Sequence, residues 1–467
     1  MSKSLSLDLI KSFQAKVEND KHTQLSMNSA VHNDITKLAM KWDNFRKIDH
    51  NFTHVVSNEM KATNQKSSGR CWGFAGLNLF RIYLARKHNL KDFQFSQSYF
   101  MFFDKLEKSN FFLESIIKTA SESRDSRLIM HLLSDPIQDG GQWDMWVNLV
   151  NKYGVVPQSE MPESFQSSSS SRMNTMITRK LREFSIILRK MVSDKIESSE
   201  IRSRKEEMLC EIYKILTIHL GSPPTKFDWK TRDKKNNLID EKGLTPISFY
   251  NNHVGLNLSD YVCLINCPMS DKEYNKVYTV DYLGNVVEGN HIKYLNVESE
   301  IMKNASIQSI KDNNPVWFGC DVGKYFSRNL GVMDDKLFDF ELFYGTGFNL
   351  TKKQRLEYGE SQMTHAMLFT GVDLDKNEKP VKWRVENSWG TTNGDKGYHI
   401  MSDTWFDEFN YEVVIHKKYI SNDLNNLYSK SDPISLPPWD PMGALAYSKK
   451  DKVYFRNILK SGEKIEK

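Results

Sequence analysis

Apolar residues between Cys71 and about His88 recur every three or four positions, which is the spacing of one helix face. Phe74 and Phe80 belong to this pattern, and a Ser-Ser-Gly string at 67–69 supplies typical cap and turn residues just upstream. The pattern predicts a buried helix that begins close to Cys71. The Cys71 thiol would then lie in the first helical turn, where backbone N–H groups have no partner within the helix.

A second helical pattern covers about residues 172–220, which are rich in Lys, Arg, Glu and Leu and contain neither Gly nor Pro. Its charges have both signs, which is typical of a solvated helical surface rather than a nucleic-acid patch. A run of five serines at 167–171 precedes it. We expect this run to form a flexible loop.

From His365 onward, short apolar runs separated by polar turns replace the helical spacing. The predicted strands, including one earlier in the chain, cover residues 261–265, 367–372, 383–387, 397–400 and 411–415. A helical half followed by a β half predicts an α+β fold with a cleft between the two halves.

The chain has 467 residues, which is long enough for a main body with a sizeable subdomain. Its N-terminus lacks the apolar core of a signal peptide, and no run approaches the roughly 20 apolar residues of a membrane helix. The five cysteines are typical of reduced thiols in the cytoplasm. Cys263 and Cys267 lack a second pair or a nearby His, so we expect buried structural thiols. These features predict a cytoplasmic protein with no metal, cofactor or membrane partner.

The net charge of +5 is unevenly distributed. Residues 447–467 hold seven Lys or Arg against three Asp or Glu, so this tail carries +4 of the total. The rest of the chain is nearly neutral, and it shows no nucleic-acid motif beyond scattered basic helices. The positive balance therefore belongs to the C-terminal tail.

Three strings carry the candidate chemistry: NQKSSGRCW at 64–72, MTHAM at 363–367 and VENSWG at 385–390. In chain order they supply Gln, Cys, His and Asn, a combination that suits thiolate attack on a peptide carbonyl. We predict Cys71 as the nucleophile, His365 as the base and Asn387 as the residue that fixes the imidazole.

Neighbouring groups are expected to assist these three residues. A helix N-terminus and an adjacent imidazolium both stabilise a thiolate, so we expect them to lower the pKa of Cys71. His365 would later pass its proton to the leaving amine, and Trp389 would shield the hydrogen bond to Asn387 from water. The Gln65 amide and the Cys71 N–H would form an oxyanion hole worth about 3–4 kcal/mol.

Each string alone also has a purely structural interpretation. A buried Cys is usually a small hydrophobic residue, a lone His is more often part of the core, and Asn-Ser-Trp-Gly can simply be a turn. Their joint occurrence in one order favours catalysis. His399 and His416 are rival bases, but no Asn-Ser-Trp string follows either, so we assign both structural roles.

These strings resemble the papain-like cysteine peptidases and, in detail, the bleomycin hydrolase (aminopeptidase C) family. Further matching segments are DGGQWD at 139–144, KYGVVP at 152–157, WFGCDVGK at 317–324, KWRVENSWG at 382–390 and PWDPMGALA at 438–446. His365 follows Cys71 by 294 residues, whereas simple papain-like enzymes place the His about 130–150 residues downstream. The excess matches a helical insertion that is typical of this family.

The resemblance implies a papain-like two-part fold with a large helical insertion subdomain. The implied segments are an N-terminal polar helical segment (1–60), a helical half with the nucleophile (61–164), the insertion, which serves oligomerisation (165–300), a β half with His and Asn (301–432), a C-terminal arm in the active-site cleft (433–446) and a basic tail (447–467).

The resemblance also implies a function. Family members are cytosolic homohexamers that remove N-terminal residues from peptides through an acyl-enzyme intermediate. Gly140 and Gly141 would line the substrate cleft. Some members bind nucleic acid, so a nucleic-acid-binding hexamer with secondary peptidase activity is the alternative. A decayed enzyme retained as a scaffold is a third interpretation, against which the intact Gln, Cys, His and Asn set argues.

The C-terminus departs from the family pattern. In the family the chain ends near the Gly-Ala-Leu-Ala string, and its terminal carboxylate anchors the substrate amine, whereas here 21 residues follow Ala446. The tail could be trimmed to expose the Ala446 carboxylate, persist and change or block specificity, or bind an anionic partner. We favour trimming, because an arm placed like a substrate beside Cys71 is poised to be cut.

Overall fold

The computed structural model describes residues 4–443 of the chain. Its helices are α1 (Leu7–Glu18), α2 (Lys21–Ala30), α3 (Ile35–Leu38), α4 (Trp42–Phe45), α5 (Cys71–Lys87), α6 (Gln97–Lys118), α7 (Arg127–Ser134), α8 (Trp143–Tyr153), α9 (Phe165–Ser168), α10 (Ser171–Ser193), α11 (Ser198–Leu220), α12 (Pro246–Phe249), α13 (Ser299–Lys311), α14 (Phe340–Tyr344), α15 (Lys352–Glu357), α16 (Asp403–Phe409) and α17 (Asn422–Lys430).

The strands are β1 (His54–Val55), β2 (Phe227–Arg232), β3 (Leu238–Leu244), β4 (Tyr261–Ile265), β5 (Lys276–Val280), β6 (Tyr294–Asn296), β7 (Val316–Cys320), β8 (Phe326–Ser327), β9 (Val332–Met333), β10 (His365–Leu374), β11 (Pro380–Glu386), β12 (Tyr398–Ser402), β13 (Asn410–His416) and β14 (Ile434–Leu436). The helix predicted from Cys71 and the five predicted strands are confirmed, the strands as β4, β10, β11, β12 and β13.

One mixed sheet forms the β half. Its strand order is β14-β5-β6-β4-β13-β7-β10-β11-β12-β9-β8, with β1 paired to β10, and β2 and β3 form a separate hairpin. Strand β10 runs antiparallel to both of its neighbours, β7 and β11. It therefore lies inside the sheet, where its first residue is held from both sides.

The pairing of β10 with β11 brings two predicted site residues together. β10 begins at His365 and β11 ends at Glu386, and Leu368 pairs with Glu386. Because antiparallel strands run in opposite directions, the start of one lies beside the end of the other. His365 and Asn387 therefore meet at the same edge of the sheet.

Helix α5 packs against this sheet through buried aromatic residues. Trp317 of β7 donates its indole N–H to the carbonyl oxygen of Trp72 at 3.1 Å, and its ring centroid lies 6.0 Å from that of Trp143. All three side chains are buried. The core is thus continuous from the helical half into the sheet, which fixes the start of α5 against β7.

A buried ion pair also joins α5 to the sheet. Arg81 of α5 pairs with Glu386, the last residue of β11, and both side chains are 1% exposed. Arg81 also donates to the Lys61 carbonyl oxygen at 3.0 Å. Burial raises the pKa of Glu386, and the charge of Arg81 opposes that rise. The pair lies directly before Asn387 and holds that end of β11 to the nucleophile helix.

The expectation of a flexible loop at residues 167–171 is wrong. Residues Phe165–Ser168 form α9, Ser164 and Ser167 close a capping box, and Ser171 begins α10. Ser167 and Ser170 are buried. Their hydroxyls donate to partly buried carboxylates, Ser167 to Glu163 at 2.9 Å and Ser170 to Asp139, so tertiary hydrogen bonds order a segment whose composition favours disorder.

The helical stretch predicted at about 172–220 is two helices. Lys195 adopts a left-handed backbone conformation with φ of 56°, and the chain reverses there between α10 and α11, whose apolar faces pack together. Residues 261–296, which we assigned to the insertion, supply β4, β5 and β6 of the main sheet. The helical part of that segment therefore ends before residue 261.

The structure shows the state of the cysteines and the length of the apolar helices. Cys263 and Cys267 are free and buried, as predicted for structural thiols, whereas Cys210 is free and exposed. Within residues 4–443, the structure contains no helix with the length and apolar character needed to cross a bilayer.

The buried pair predicts a large stability effect. Arg81→Met leaves the Glu386 carboxylate buried without its partner, so we expect it to lower the free energy of unfolding by about 3–5 kcal/mol. Adding Glu386→Leu should restore much of the loss, because no charge then remains buried. Urea unfolding followed by tryptophan fluorescence measures both variants.

Arg46→Met is the matched control, because Arg46 pairs with Asp43 on the exposed surface at 2.8 Å. It should change the free energy of unfolding by less than about 1 kcal/mol. A shift for Arg81→Met no larger than that of Arg46→Met would contradict the role assigned to the buried pair.

Candidate active site

Cys71 is the first residue of α5 and its side chain is almost wholly buried, with 1% of the residue exposed. The backbone N–H groups of Cys71, Trp72 and Ala366 interact with its sulfur. Ala366 directly follows His365 in β10. The sulfur therefore lies between the start of α5 and the start of β10, where the helical half meets the sheet.

Burial raises the pKa of the Cys71 thiol to about 11, since an anion there would lose its hydration. The three N–H groups favour the thiolate but do not outweigh burial, and the charge of Asp139 adds to the rise. This differs from the lowered pKa that we expected from a helix N-terminus and an adjacent imidazolium. Burial therefore favours the neutral thiol unless a positive charge forms beside the sulfur.

His365 is 5% exposed, and its Nε2 lies 2.9 Å from the Asn387 side-chain oxygen, Oδ1. The Ser388 backbone N–H also donates to that oxygen at 2.7 Å, which identifies it as the acceptor end of the amide. His365 Nε2 therefore carries a proton and donates it to Asn387. The other ring nitrogen, Nδ1, is left without a proton and can accept one.

Burial lowers the pKa of His365 to about 4, the hydrogen bond to Asn387 opposes this, and the charge of Arg328 adds to it. The imidazole is therefore a neutral base at neutral pH. Burial thus opposes either charge alone, whereas a thiolate and an imidazolium formed together would compensate each other for lost hydration.

Asn387 is fully buried directly after β11. Its amide nitrogen lies 3.4 Å from Nδ1 of His399, whose ring is also buried. Burial lowers the pKa of His399 to about 3, so this ring is neutral. His399 thus packs behind Asn387, whereas the other rival base, His416, lies at the end of β13 with its ring against Tyr261.

The Trp389 ring packs on the His365 ring, and shielding of the hydrogen bond to Asn387 from water stays a prediction. The two ring centroids are 4.9 Å apart with a tilt of 36°. Trp389 is half-buried, and the guanidinium of Arg328 lies 4.5 Å from the centre of its ring. The indole therefore has His365 and an arginine among its neighbours at the mouth of the site.

Gln65 is held by both halves of the protein. Its side-chain nitrogen donates to the Ser68 carbonyl oxygen at 2.6 Å, and its side-chain oxygen accepts from the Ser388 hydroxyl at 2.6 Å. The second bond orients the amide so that its nitrogen faces residues 66–70, which we call the nucleophile loop. Ser388 was not predicted as a site residue, although it lies inside the Asn-Ser-Trp-Gly string that identified Asn387.

Backbone hydrogen bonds reinforce this contact across the cleft. The Gln65 N–H donates to the Ser388 carbonyl oxygen and the Gly390 N–H to the Thr63 carbonyl oxygen, both at 2.8 Å. Gly390 has φ of 78°, and a side chain there would come within 2.6 Å of Asn64. Residues 63–65 and 388–390, which we call the cleft ladder, thus require glycine at position 390.

A second set of contacts holds the nucleophile loop to the helical insertion. The Asp139 carboxylate accepts from the Gly69 N–H at 2.9 Å, from Asn174 of α10 at 2.7 Å and from Lys105 of α6 at 2.7 Å. These donors hold the pKa of Asp139 well below its usual value despite burial. Arg70 adds a two-pronged pair with Glu163 at 2.9 and 2.7 Å.

Gly140 and Gly141, predicted in the substrate cleft, lie buried directly after Asp139. A side chain on Gly141 would come within 2.5 Å of the Trp72 ring, and Lys108 donates to the Gly140 carbonyl oxygen at 2.6 Å. They therefore pack beside the residue that follows Cys71, and contact with substrate stays a prediction. Ala446 lies outside the described residues.

A model of the Peptidase C1-like family matches residues 4–443. The chain belongs to the Peptidase C1-like family. It is similar to aminopeptidase C of Listeria innocua, with 46% identity over 446 residues that cover 96% of this chain and 100% of that protein. Human bleomycin hydrolase is 43% identical over 453 residues, which cover 95% of this chain and 99% of that protein.

A solved structure agrees with the fold. The crystal structure of PepW from Lactobacillus rhamnosis matches with a TM-score of 0.93 at 44% sequence identity, covering 96% of this chain and 100% of that chain. The predicted papain-like α+β fold and the resemblance to the bleomycin hydrolase and aminopeptidase C proteins are confirmed. This Peptidase C1-like protein is a cysteine-type peptidase.

The contacts of Gln65 predict a large loss of kcat in one variant and a smaller loss in another. Gln65→Ala removes the amide at the nucleophile loop and should lower kcat about 100- to 1,000-fold, as loss of an oxyanion donor does. Ser388→Ala leaves that amide in place without its orienting partner and should lower kcat less, by about tenfold. Steady-state hydrolysis of an aminoacyl-coumarin measures both effects.

The double variant Gln65→Ala/Ser388→Ala tests whether Ser388 acts by orienting Gln65 or has an independent effect on activity. Ser388→Ala should cost almost nothing further in the Gln65→Ala background, because the two residues act as one unit. Ser388→Thr, which retains a hydroxyl, is the matched control and should stay close to wild type. Independent, multiplicative losses in the double variant would show that Ser388 does not act through Gln65.

Proposed function

We propose that this protein is a thiol aminopeptidase that removes N-terminal residues from peptides. The observation that carries the proposal is the hydrogen bond between His365 Nε2 and Asn387 Oδ1 at 2.9 Å, with the Cys71 sulfur at the Ala366 N–H next to that histidine. A buried thiol beside an imidazole whose tautomer is fixed is the arrangement that nucleophilic catalysis needs.

The reaction follows from these positions. His365 Nδ1 accepts the Cys71 proton as the sulfur attacks the scissile carbonyl carbon. The resulting imidazolium gives that proton to the departing amine, so the carbon–nitrogen bond breaks and the acyl group remains on sulfur. Water then attacks the thioester with His365 again as base, which releases the N-terminal residue and restores the thiol.

Gln65 and the start of α5 support an oxyanion hole. The Gln65 side-chain nitrogen carries two hydrogens and uses one for Ser68, so the other can donate to the tetrahedral oxyanion. The first N–H groups of a helix lack intrahelical acceptors, so the Cys71 N–H, which interacts with its own sulfur, can also donate to this oxygen. Trp389 and burial exclude water, which strengthens these hydrogen bonds.

The aminopeptidase assignment is supported by the relatives, which are named aminopeptidase C and bleomycin hydrolase. It is also supported by the way the chain approaches its end. Asp440 pairs with buried Lys272 at 2.7 Å, the Met442 side chain is 1% exposed, and Tyr294 donates to the Met442 carbonyl oxygen at 3.4 Å. The chain is thus docked on the body up to residue 443.

A series of contacts leads from this docked segment towards the nucleophile. Lys293, beside Tyr294, donates its N–H to Asp144 at 2.9 Å. Asp144 lies three residues after Gly141, which packs on Trp72. We propose that a carboxylate at Ala446, exposed by trimming, binds the substrate amine, as the family resemblance implies.

The nucleic-acid alternative gains no support from the described part of the chain. Several basic residues of α10 and α11 pair with acids: Lys180 contacts Glu211 at 3.0 Å, and Arg202 and Lys205 share Glu114. Arg182 and Arg189 of α10 instead donate to backbone carbonyl oxygens. Paired lysines and arginines present little free positive charge to phosphates. The peptidase function is therefore the one that we propose.

We also propose that the chain assembles into the homohexamer that the resemblance implies. Every residue of α1 is exposed, although Leu7, Ile10 and Phe13 form an apolar stripe on this helix. Exposed apolar stripes of this kind are typical of protein interfaces. Sedimentation velocity should give about six times the 54.4-kDa chain mass, and a monomeric mass would contradict the proposal.

The proposed function predicts a specific pattern of turnover. The reduced enzyme should hydrolyse aminoacyl-coumarins, and Cys71→Ala should lower turnover at least 1,000-fold, because no other group can form the acyl-enzyme. Cys210→Ala is the matched control, since this exposed thiol lies on α11 and not in the cleft. Full activity in Cys71→Ala would refute the mechanism.

N-acetylated substrates separate aminopeptidase from endopeptidase action. Loss of the substrate amine should lower kcat/KM strongly if a carboxylate binds that amine. Intact mass should first be measured, to establish whether residues 447–467 are still present. Equal cleavage of free and acetylated substrates by chains that end at Ala446 would contradict the anchoring role.

A further inference from the structure

Arg328 is an exposed cation close to the catalytic pair. It follows β8, and its guanidinium lies 4.5 Å from the centre of the Trp389 ring. Its charge lowers the pKa of both His365 and His399, so its field reaches the site. The structure shows no carboxylate within 4.0 Å of Arg328 among residues 4–443.

The backbone around Arg328 is fixed. The Gly331 N–H donates to the Ser327 carbonyl oxygen at 2.9 Å and is also within 3.3 Å of the Arg328 carbonyl oxygen, which closes a tight turn. Phe326, two residues before Arg328, packs against the Trp389 ring with centroids 5.8 Å apart. The guanidinium is thus presented from an ordered turn and rests on an ordered ring.

Two acids that flank the sequence of this turn or the start of β10 have other partners. Glu360 pairs with Lys324 at 2.6 Å. Asp321 is buried and accepts from Ser361 at 2.8 Å and from Thr364 at 3.1 Å. Neither carboxylate neutralises Arg328, so its positive charge is available to a bound molecule.

The chemistry places the leaving part of a substrate on this side of the site. His365 must give its proton to the departing amine, so the residues after the scissile bond lie against His365. Trp389 covers that imidazole with centroids 4.9 Å apart, and Arg328 lies on Trp389. A carboxylate carried by the leaving peptide can therefore approach the guanidinium.

We propose that Arg328 determines specificity for substrates whose leaving group carries a carboxylate, either an acidic side chain on the first leaving residue or the free C-terminus of a dipeptide. This inference rests on the peptidase function proposed above. Arginine suits the role, because its planar guanidinium can stack on an indole and still donate hydrogen bonds to a carboxylate. The binding site is exposed, so salt screens the attraction.

The test compares ratios of kcat/KM, which cancel any effect common to both substrates. Ala-Glu-Gly-amide and Ala-Gln-Gly-amide differ only in the charge of the first leaving residue, and the dipeptide Ala-Gln and its amide differ only at the C-terminus. Wild type should prefer the anionic member of at least one pair by about threefold at low salt, as expected for an exposed ion pair. The preference should fall in 0.5 M salt.

Arg328→Gln should bring that ratio to about one, and Arg328→Lys should retain part of it. Arg204→Gln removes a charge from α11 and is the matched control, which should keep the wild-type ratio. The pair of substrates that responds identifies which carboxylate is bound. An unchanged ratio in Arg328→Gln, or no preference in wild type, would overturn the inference. Failure of wild type to cleave any of the four peptides would instead refute the peptidase function.

Discussion

The cleft ladder between residues 63–65 and 388–390 is the constraint on which the site depends. The proposed nucleophile, Cys71, lies at the start of α5, and the proposed base, His365, lies at the start of β10, 294 positions later in the chain. Two backbone hydrogen bonds of 2.8 Å and the Ser388–Gln65 contact hold the segment before α5 and the segment after β11 in a fixed relative position. Because Gln65 belongs to one side of the ladder and Asn387 directly precedes the other, the proposed oxyanion hole and base are positioned by the same contact.

Burial gives this arrangement its chemical character. It raises the pKa of Cys71 and lowers that of His365, so neither charge is favoured alone. A thiolate and an imidazolium formed together would compensate each other, and the N–H groups around the sulfur favour the thiolate. The helical insertion contributes as well, because Asp139 and Glu163 connect the nucleophile loop to α10 and α9. Changes in the insertion can therefore reach the nucleophile.

Local patterns predicted much of this fold and site. Apolar spacing was enough to predict α5 from Cys71, and alternating runs predicted β10 and β11, because both depend on neighbours close in sequence. The serine segment at 167–171 was misjudged, since its order comes from Asp139 and Glu163 rather than from its own composition. Ser388 was missed for the same reason: its partner Gln65 is 323 positions away. The pKa of Cys71 depends on how deeply the finished fold buries it.

Mapping the residue modified by an aminoacyl chloromethyl ketone tests the central arrangement most directly. This reagent carries a free amine and places an alkylating carbon next to the position of the scissile carbonyl. Peptide mass mapping should locate the label on buried Cys71 while exposed Cys210 stays unmodified, and His365→Ala should abolish labelling. A label on Cys210 instead, or unchanged labelling of Cys71 in His365→Ala, would contradict activation of the thiol by the site.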